Sequence, residues 1–183
     1  MIFSGGQKAE LMAEIERTRE RERPALEDNP YERSMRSRQE FTDRNLTGQI
    51  VVTAAERETF QARQGKLKYY LCPVSYKNTP LQQWRVFTHE IDTVSGKHRH
   101  QGGLVIYVLN GKGYSVVDGE RWDWEKGDLV LLPLRPGGVE HQHFNLEPEK
   151  GPAVWVAFIN LPLFEHVAST LQQIENSPDF GKS

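Results

Sequence analysis

A chain of 183 residues, 26% charged and 37% hydrophobic, has room for one domain with a sizeable core plus an appendage, but not for a second domain of equal size. A net charge of -2 and an isoelectric point near neutrality give no electrostatic footprint for nucleic acid, so that class of partner is set aside. The lone cysteine, Cys72, excludes an intrachain disulfide, and with neither a leader-like segment nor a long apolar run the expectation is a cytoplasmic protein without membrane contact.

Residues 7 to 47 carry dense charge of both signs, as in KAELMAEIERTRERERPALEDNPYERSMRSRQEF, with Leu11, Met12 and Ile15 as a thin apolar stripe. This pattern predicts a solvated helix broken at Pro24, where the ring removes an N–H donor and crowds the preceding turn. Two roles are open to it: a surface arm, or an arm that packs on a partner subunit. Thr53 with Glu56 three positions on is a capping box, and Gly65 stands where a helix would stop, so a short helix over about 53–65 is expected. The arm as a whole is placed at residues 1–65.

From Lys66 the pattern changes to short β-prone runs: KLKYYLCP, QQWRVFTHEI, LVIYVLNG, GYSVVDGE, RWDWEKG, DLVLLP, VEHQHFN and AVWVAFIN. Asn110-Gly111, Asp118-Gly119 and Lys126-Gly127 punctuate them as turns. About eight strands in roughly a hundred residues predict an antiparallel double-sheet barrel, placed at residues 66–162. The remainder, 163–183, contains LPLFEHVASTLQQIENS, which is expected to be an amphipathic helix from about Leu163 to Glu175 covering an open end of the barrel. Its apolar stripe is Phe164, Val167, Leu171 and Ile174.

The histidines are the most informative residues. His98 and His100 are separated by one residue, and on a strand they point to the same side because side chains alternate. His141, from a distant strand, would close a facial set of three imidazoles and leave the far side of an ion open, as catalytic rather than structural sites do. His143 follows His141 by two and should face the same interior, as a fourth ligand, an acid–base group or a hydrogen-bonding partner behind the ligands. His89 and His166 stand alone and are expected to be hydrogen-bonded or at the surface.

The surroundings of these histidines carry a family resemblance. GKHRHQGGLVIYVLNGKG resembles the first motif of the cupin superfamily, with a glycine before His-x-His and an apolar strand running to a glycine turn. GDLVLLPLRPGGVEHQHFN resembles the second, with Gly127, Pro133, Gly137 or Gly138, His141 and Asn145 in order. The resemblance covers roughly residues 67 to 162. It implies an all-β double-stranded β-helix, the jelly-roll-like cupin barrel, to which the residue pattern outside it adds an N-terminal helical arm and a C-terminal helix, and it implies metal ligation by His98, His100 and His141.

One position departs from the motif. Most metal-binding cupins place a glutamate a few residues after the second histidine, where this chain has Leu104. Three neutral imidazoles leave the full dipositive charge on an ion, giving a stronger Lewis acid that favours anionic chelating substrates. Such three-histidine sites resemble gentisate 1,2-dioxygenase and relatives acting on salicylate or hydroxynaphthoate, and also the β-diketone-cleaving and thiol dioxygenases. His141-x-His143-x-Asn145 is like the gentisate group.

The resemblance therefore implies a non-haem iron(II) dioxygenase, an oxidoreductase cleaving a hydroxylated aromatic carboxylate or related dicarbonyl with dioxygen. Zinc, manganese and nickel are the alternative metals, since imidazole accepts them too. His143 is the candidate catalytic proton carrier, and Arg85, Gln101 and Asn145 are candidates for substrate binding. Arg85 could hold a carboxylate in a bidentate fork or form a surface salt bridge, whereas Arg99 and Tyr107 should point away from the ion by alternation. Two other readings stay open: a non-redox metal-dependent lyase or isomerase, and a non-catalytic cupin that binds a small molecule. Cupins pair through edge strands and exchange N-terminal segments, so a homodimer is expected.

Overall fold

The computed structural model describes residues 5–21 and 28–182, and the β-prone runs fold in it as two antiparallel sheets. In chain order the strands are β1 (Thr59–Ala62), β2 (Gly65–Leu71), β3 (Trp84–Ile91), β4 (Lys97–His100), β5 (Leu104–Asn110) and β6 (Lys112–Val117). There follow β7 (Glu120–Glu125), β8 (Leu129–Leu132), β9 (Val139–Asn145), β10 (Ala153–Asn160) and β11 (Gln172–Glu175). One sheet has the order β1-β2-β3-β10-β5-β8 and the other β11-β4-β9-β6-β7. The architecture is all-β and jelly-roll-like, as the strand pattern and turn glycines predict.

The inner faces of the two sheets differ in chemistry, and that difference positions the site. In the first sheet the inward residues are apolar: Phe87 and Ile91 on β3, Leu104 and Ile106 on β5, Trp155, Ala157 and Ile159 on β10 form one buried cluster. In the second sheet the same alternation turns inward His98 and His100 on β4, Ser115 on β6, and His141, His143 and Asn145 on β9, all buried. Apolar burial of the first kind drives folding, whereas the polar face needs internal partners to be tolerated.

Helices α1 (Gly5–Arg21) and α2 (Pro30–Thr47) belong to a first compact unit reaching Ile50 together with Asn78–Pro80. In α2, Asn29 caps the N-terminus by accepting the Glu32 N–H at 3.0 Å, Pro30 opens the first turn, and no residue is buried. The break expected at Pro24 lies outside the described residues. No helix among the described residues is long and apolar enough to cross a membrane.

Three expectations are corrected. The second compact unit comprises Val51–Lys77 and Leu81–Ser183, so the expected arm boundary at 65 cuts into it: β1 lies inside the segment assigned to the arm. The helix expected over 53–65 is one 3-10 turn at Ala54–Glu56, with the Glu56 carboxylate accepting the Thr53 N–H at 3.2 Å. Gly65 does not stop a helix; it opens β2 after a hairpin, and at its φ of 138° a Cβ would lie 2.3 Å from His89 Nε2.

The third correction concerns the tail. Helix α3 spans only Leu161–His166, capped by Asn160, and the chain then extends into β11. A Schellman turn ends α3: Ser169 N–H reaches Phe164 O at 3.0 Å and Ala168 N–H reaches Glu165 O at 2.9 Å, with Ala168 at φ 49°. Beyond it, Gln172–Glu175 pair with β4, whose backbone groups would otherwise form an open sheet edge.

Candidate metal centre

His98 and His141 are direct cross-strand partners on β4 and β9, and their rings lie 4.1 Å apart, edge to face. His100 stands two residues along β4, with its ring 4.8 Å from that of His141. All three are buried, and one ligand nitrogen of each lies within 4.8 Å of the others. Two bonds of about 2.1 Å span at most about 4.2 Å, so the imidazoles would have to close on an ion to share it. Among the described residues this trio is the group of histidine, cysteine and carboxylate side chains arranged to hold a metal.

The backbone sets the tautomers. His98 Nδ1 faces Gly96 O at 3.3 Å and His141 Nδ1 faces Val139 O at 3.1 Å, contacts that place a hydrogen on Nδ1 and leave the Nε2 lone pair for a metal. His100 is arranged differently: Gly102 N–H donates to its Nδ1 at 2.9 Å, so the neutral ring carries its hydrogen on Nε2. Metal binding through Nε2 of His100 therefore requires that ring to turn and release the Gly102 amide. Gly102 itself is fixed, because at its φ of 80° a Cβ would lie 2.0 Å from Pro133 O.

Burial holds the imidazoles neutral, the form that ligates. It lowers His98 to about 4, partly opposed by the Gly96 carbonyl, and lowers His100 to about 4 with help from the His98 charge. His141 is pushed well below its ordinary value, first by burial and then by the charges of His98, His143 and His100. The number, type, spacing and burial of these groups fit a divalent metal with a preference for imidazole nitrogen.

A cavity of about 200 Å³ opens on the trio. Its walls include Leu104, Arg85 and Tyr69, together with Trp155 and Phe164. Leu104 thus lies in the same cavity as the histidines, an apolar group where the motif usually has a carboxylate. The volume is below the ~300 Å³ at which pockets for drug-sized ligands begin, so it suits a small molecule. A wider groove of about 540 Å³ lies away from the histidines, between β7 and β8, and is lined by Trp122, Leu129 and Leu131.

The other sequence candidates divide. Arg85 faces inward on β3 beside Phe87 and lines the cavity, where its charge acts on the Tyr69 phenol. Arg99 points outward to Glu140 at 2.8 Å, and Tyr107 is also outward-facing. Gln101 is not in the cavity wall: its Oε1 accepts the Thr170 N–H at 2.8 Å and ties down the chain after α3. Asn145 is likewise engaged elsewhere, its Nδ2 donating to the carbonyls of Ile91, Asp92 and Gly151 at 3.1, 3.0 and 2.9 Å, and its Oδ1 accepting Glu147 N–H at 3.0 Å. Both were expected to bind substrate; Asn145 spends its amide, and Gln101 its Oε1, on holding neighbouring segments.

His143 faces the cavity, buried, with its ring 5.4 Å from His141, and is kept neutral first by burial and then by the neighbouring imidazoles. It is not one of the three converging ligands. His89 is buried edge-on to Trp155 at 4.7 Å, and burial lowers it to about 3. His166 is exposed on α3. Sequence reasoning missed Tyr69, Phe164 as a cavity residue, and the Ser115–Trp124 pair behind His143. Strand alternation could have turned Ser115 inward, but not chosen its partner.

Comparison with known proteins agrees with this geometry. Residues 85–159 match the Cupin domain family. A gentisate 1,2-dioxygenase from Ralstonia sp is 35% identical over 74 residues, 40% of this chain and 19% of the relative. An acireductone dioxygenase from Phaeosphaeria nodorum is 31% identical over 78 residues, 37% of this chain and 43% of the relative. The chain thus spans less than half the length of each of these curated relatives. Among solved structures, salicylate 1,2-dioxygenase from Pseudoaminobacter salicylatoxidans aligns with a TM-score of 0.49 and 22% identity, covering 73% of this chain and 35% of that one. With both sequence motifs, the double-sheet architecture and the buried histidine trio in place, residues 85–159 of the barrel match a Cupin domain, and over that segment the chain is similar to cupins.

Proposed function

We propose that this protein is a non-haem iron(II) dioxygenase that cleaves a small, anionic, chelating substrate, a hydroxylated aromatic carboxylate or a related dicarbonyl. The observation that carries this reading is the donor set: three buried imidazoles with Leu104, not a carboxylate, beside them in one cavity with Arg85. Iron(II) held by His98, His100 and His141 would supply Lewis acidity and open positions for dioxygen and a bidentate substrate. The names of the two dioxygenase relatives support the reaction class.

The chain's own residues have separate tasks. Arg85 would pair with the substrate carboxylate, and its guanidinium inside a partly apolar wall is worth more than the same pair in water. Leu104, Phe87 and Ile106 exclude water from the reacting face. His143 would carry a proton at the ring atom that faces the cavity.

The test begins with the metal content of tag-free protein purified without oxygen, compared with a His98→Ala, His100→Ala double variant. Near-stoichiometric iron in the parent, none in the variant, and oxygen uptake with gentisate, salicylate or a β-diketone are expected. Zinc, nickel or manganese in place of iron, with no oxygen uptake after iron loading, would replace this reading with a lyase or isomerase.

A further inference from the structure

Ser115 lies directly across from His143 on β6 and is fully buried. Its hydroxyl oxygen is 2.7 Å from His143 Nδ1 and receives the indole N–H of Trp124 at 2.9 Å. A serine hydroxyl has one hydrogen, and an indole N–H can only donate. With Trp124 occupying one lone pair, the hydroxyl hydrogen has a single acceptor among these contacts, the Nδ1 lone pair of His143. The reverse arrangement, with Nδ1–H donating to Ser115, would leave the hydroxyl hydrogen buried without an acceptor, which native interiors avoid.

We propose that Ser115 and Trp124 are positioning residues that fix His143 as the Nε2–H tautomer, so that its ring tip is a hydrogen-bond donor to the cavity and not a fourth metal ligand. His141, two residues away on the same strand, is set the opposite way by the Val139 carbonyl. One strand therefore presents two imidazoles to one cavity: His141 with a lone pair at Nε2 and His143 with a hydrogen there. A nitrogen bearing a hydrogen has no lone pair for a metal, so His143 held in this tautomer stands beside the three converging imidazoles as a donor. That the donor meets an anionic oxygen of the substrate rests on the proposed function; the tautomer itself does not.

Long-range proton–nitrogen correlation NMR of the imidazoles in the metal-free protein, at one fixed pH, tests this directly. His143 is assigned by its absence from the spectrum of a His143→Gln variant. In the parent, Nε2 is expected to carry the hydrogen and Nδ1 to be bare, by about fivefold or more, the preference one hydrogen bond of ordinary net strength supplies. Ser115→Ala should bring the two tautomers to comparable populations, Ser115→Thr should restore the parental pattern, and Trp124→Phe should fall between them. A hydrogen on Nδ1 in the parent overturns the proposal, as does a parental distribution in Ser115→Ala. If Ser115→Ala does not fold, the parent spectrum and Trp124→Phe decide, an unshifted distribution in the latter removing Trp124 from the device. Failure of the oxygen-uptake screen would sink the dioxygenase reading and leave the tautomer result standing.

Discussion

At the scale of single residues, the cupin motifs mark positions without saying what each side chain does. Asn145 occupies a motif position, yet its amide is consumed by three carbonyls and one amide of surrounding loops. Asn145→Ala should therefore cost about 2–4 kcal/mol in urea unfolding, from orphaned buried carbonyls, with metal stoichiometry unchanged. Loss of metal without loss of stability would contradict this role. Leu104 gives a second expectation. Leu104→Glu puts an unpaired carboxylate into a buried site, lowering metal-free stability by about 2–4 kcal/mol. Added divalent metal, paired by the new carboxylate, should raise Tm more in the variant than in the parent; an equal rise would place Leu104 away from the ion. The spacing of His98 and His100 made that pair legible, because alternation on a strand is local, and the resemblance to the cupin motifs added His141 as the third candidate ligand. The partners of Ser115 and Gln101 were not legible, since they come from segments 28 and 69 residues away.

Among the elements, the strands were legible and the short helices were not. Alternating apolar residues and glycine turns identify strands from the chain alone, whereas the Phe164, Val167, Leu171, Ile174 stripe suits either a helix or a strand preceded by a turn. What decides is β4: the ligand strand takes β11 as its outer neighbour, with Gln173 paired to His98. Lys97 reinforces this edge by bridging Glu140 at 3.2 Å and Glu175 at 3.6 Å. The turn between α3 and β11 holds Ala168 in a left-handed conformation that glycine adopts without steric cost. Ala168→Gly should stabilise the protein by about 0.5–1 kcal/mol in thermal or denaturant unfolding. A destabilised variant would show that the turn is not the Schellman motif described.

Over the whole molecule, concentrating imidazoles on one inner face links stability to pH. His98 and His100 titrate near 4 in the fold against about 6.5 unfolded, so the unfolded chain takes up protons first as pH falls. Their contribution is complete above about pH 6.5 and is lost toward pH 4, by about 1.4 kcal/mol per pH unit for each histidine. The Tm of metal-free protein should fall steadily from pH 6.5 to 5, before carboxylates titrate; a flat profile would mean that the imidazoles are not held neutral. Residue alternation and turn glycines determined the double-sheet barrel and set His98 and His100 on one face, because both depend on periods of two along a strand, while the grouping of His141 with them came from the resemblance to the cupin motifs. The tertiary structure alone decided which inward polar groups face the cavity, which close loops, and which hydrogen each buried imidazole carries. Those outcomes depend on cross-strand partners that the pairing of distant segments brings within hydrogen-bond reach.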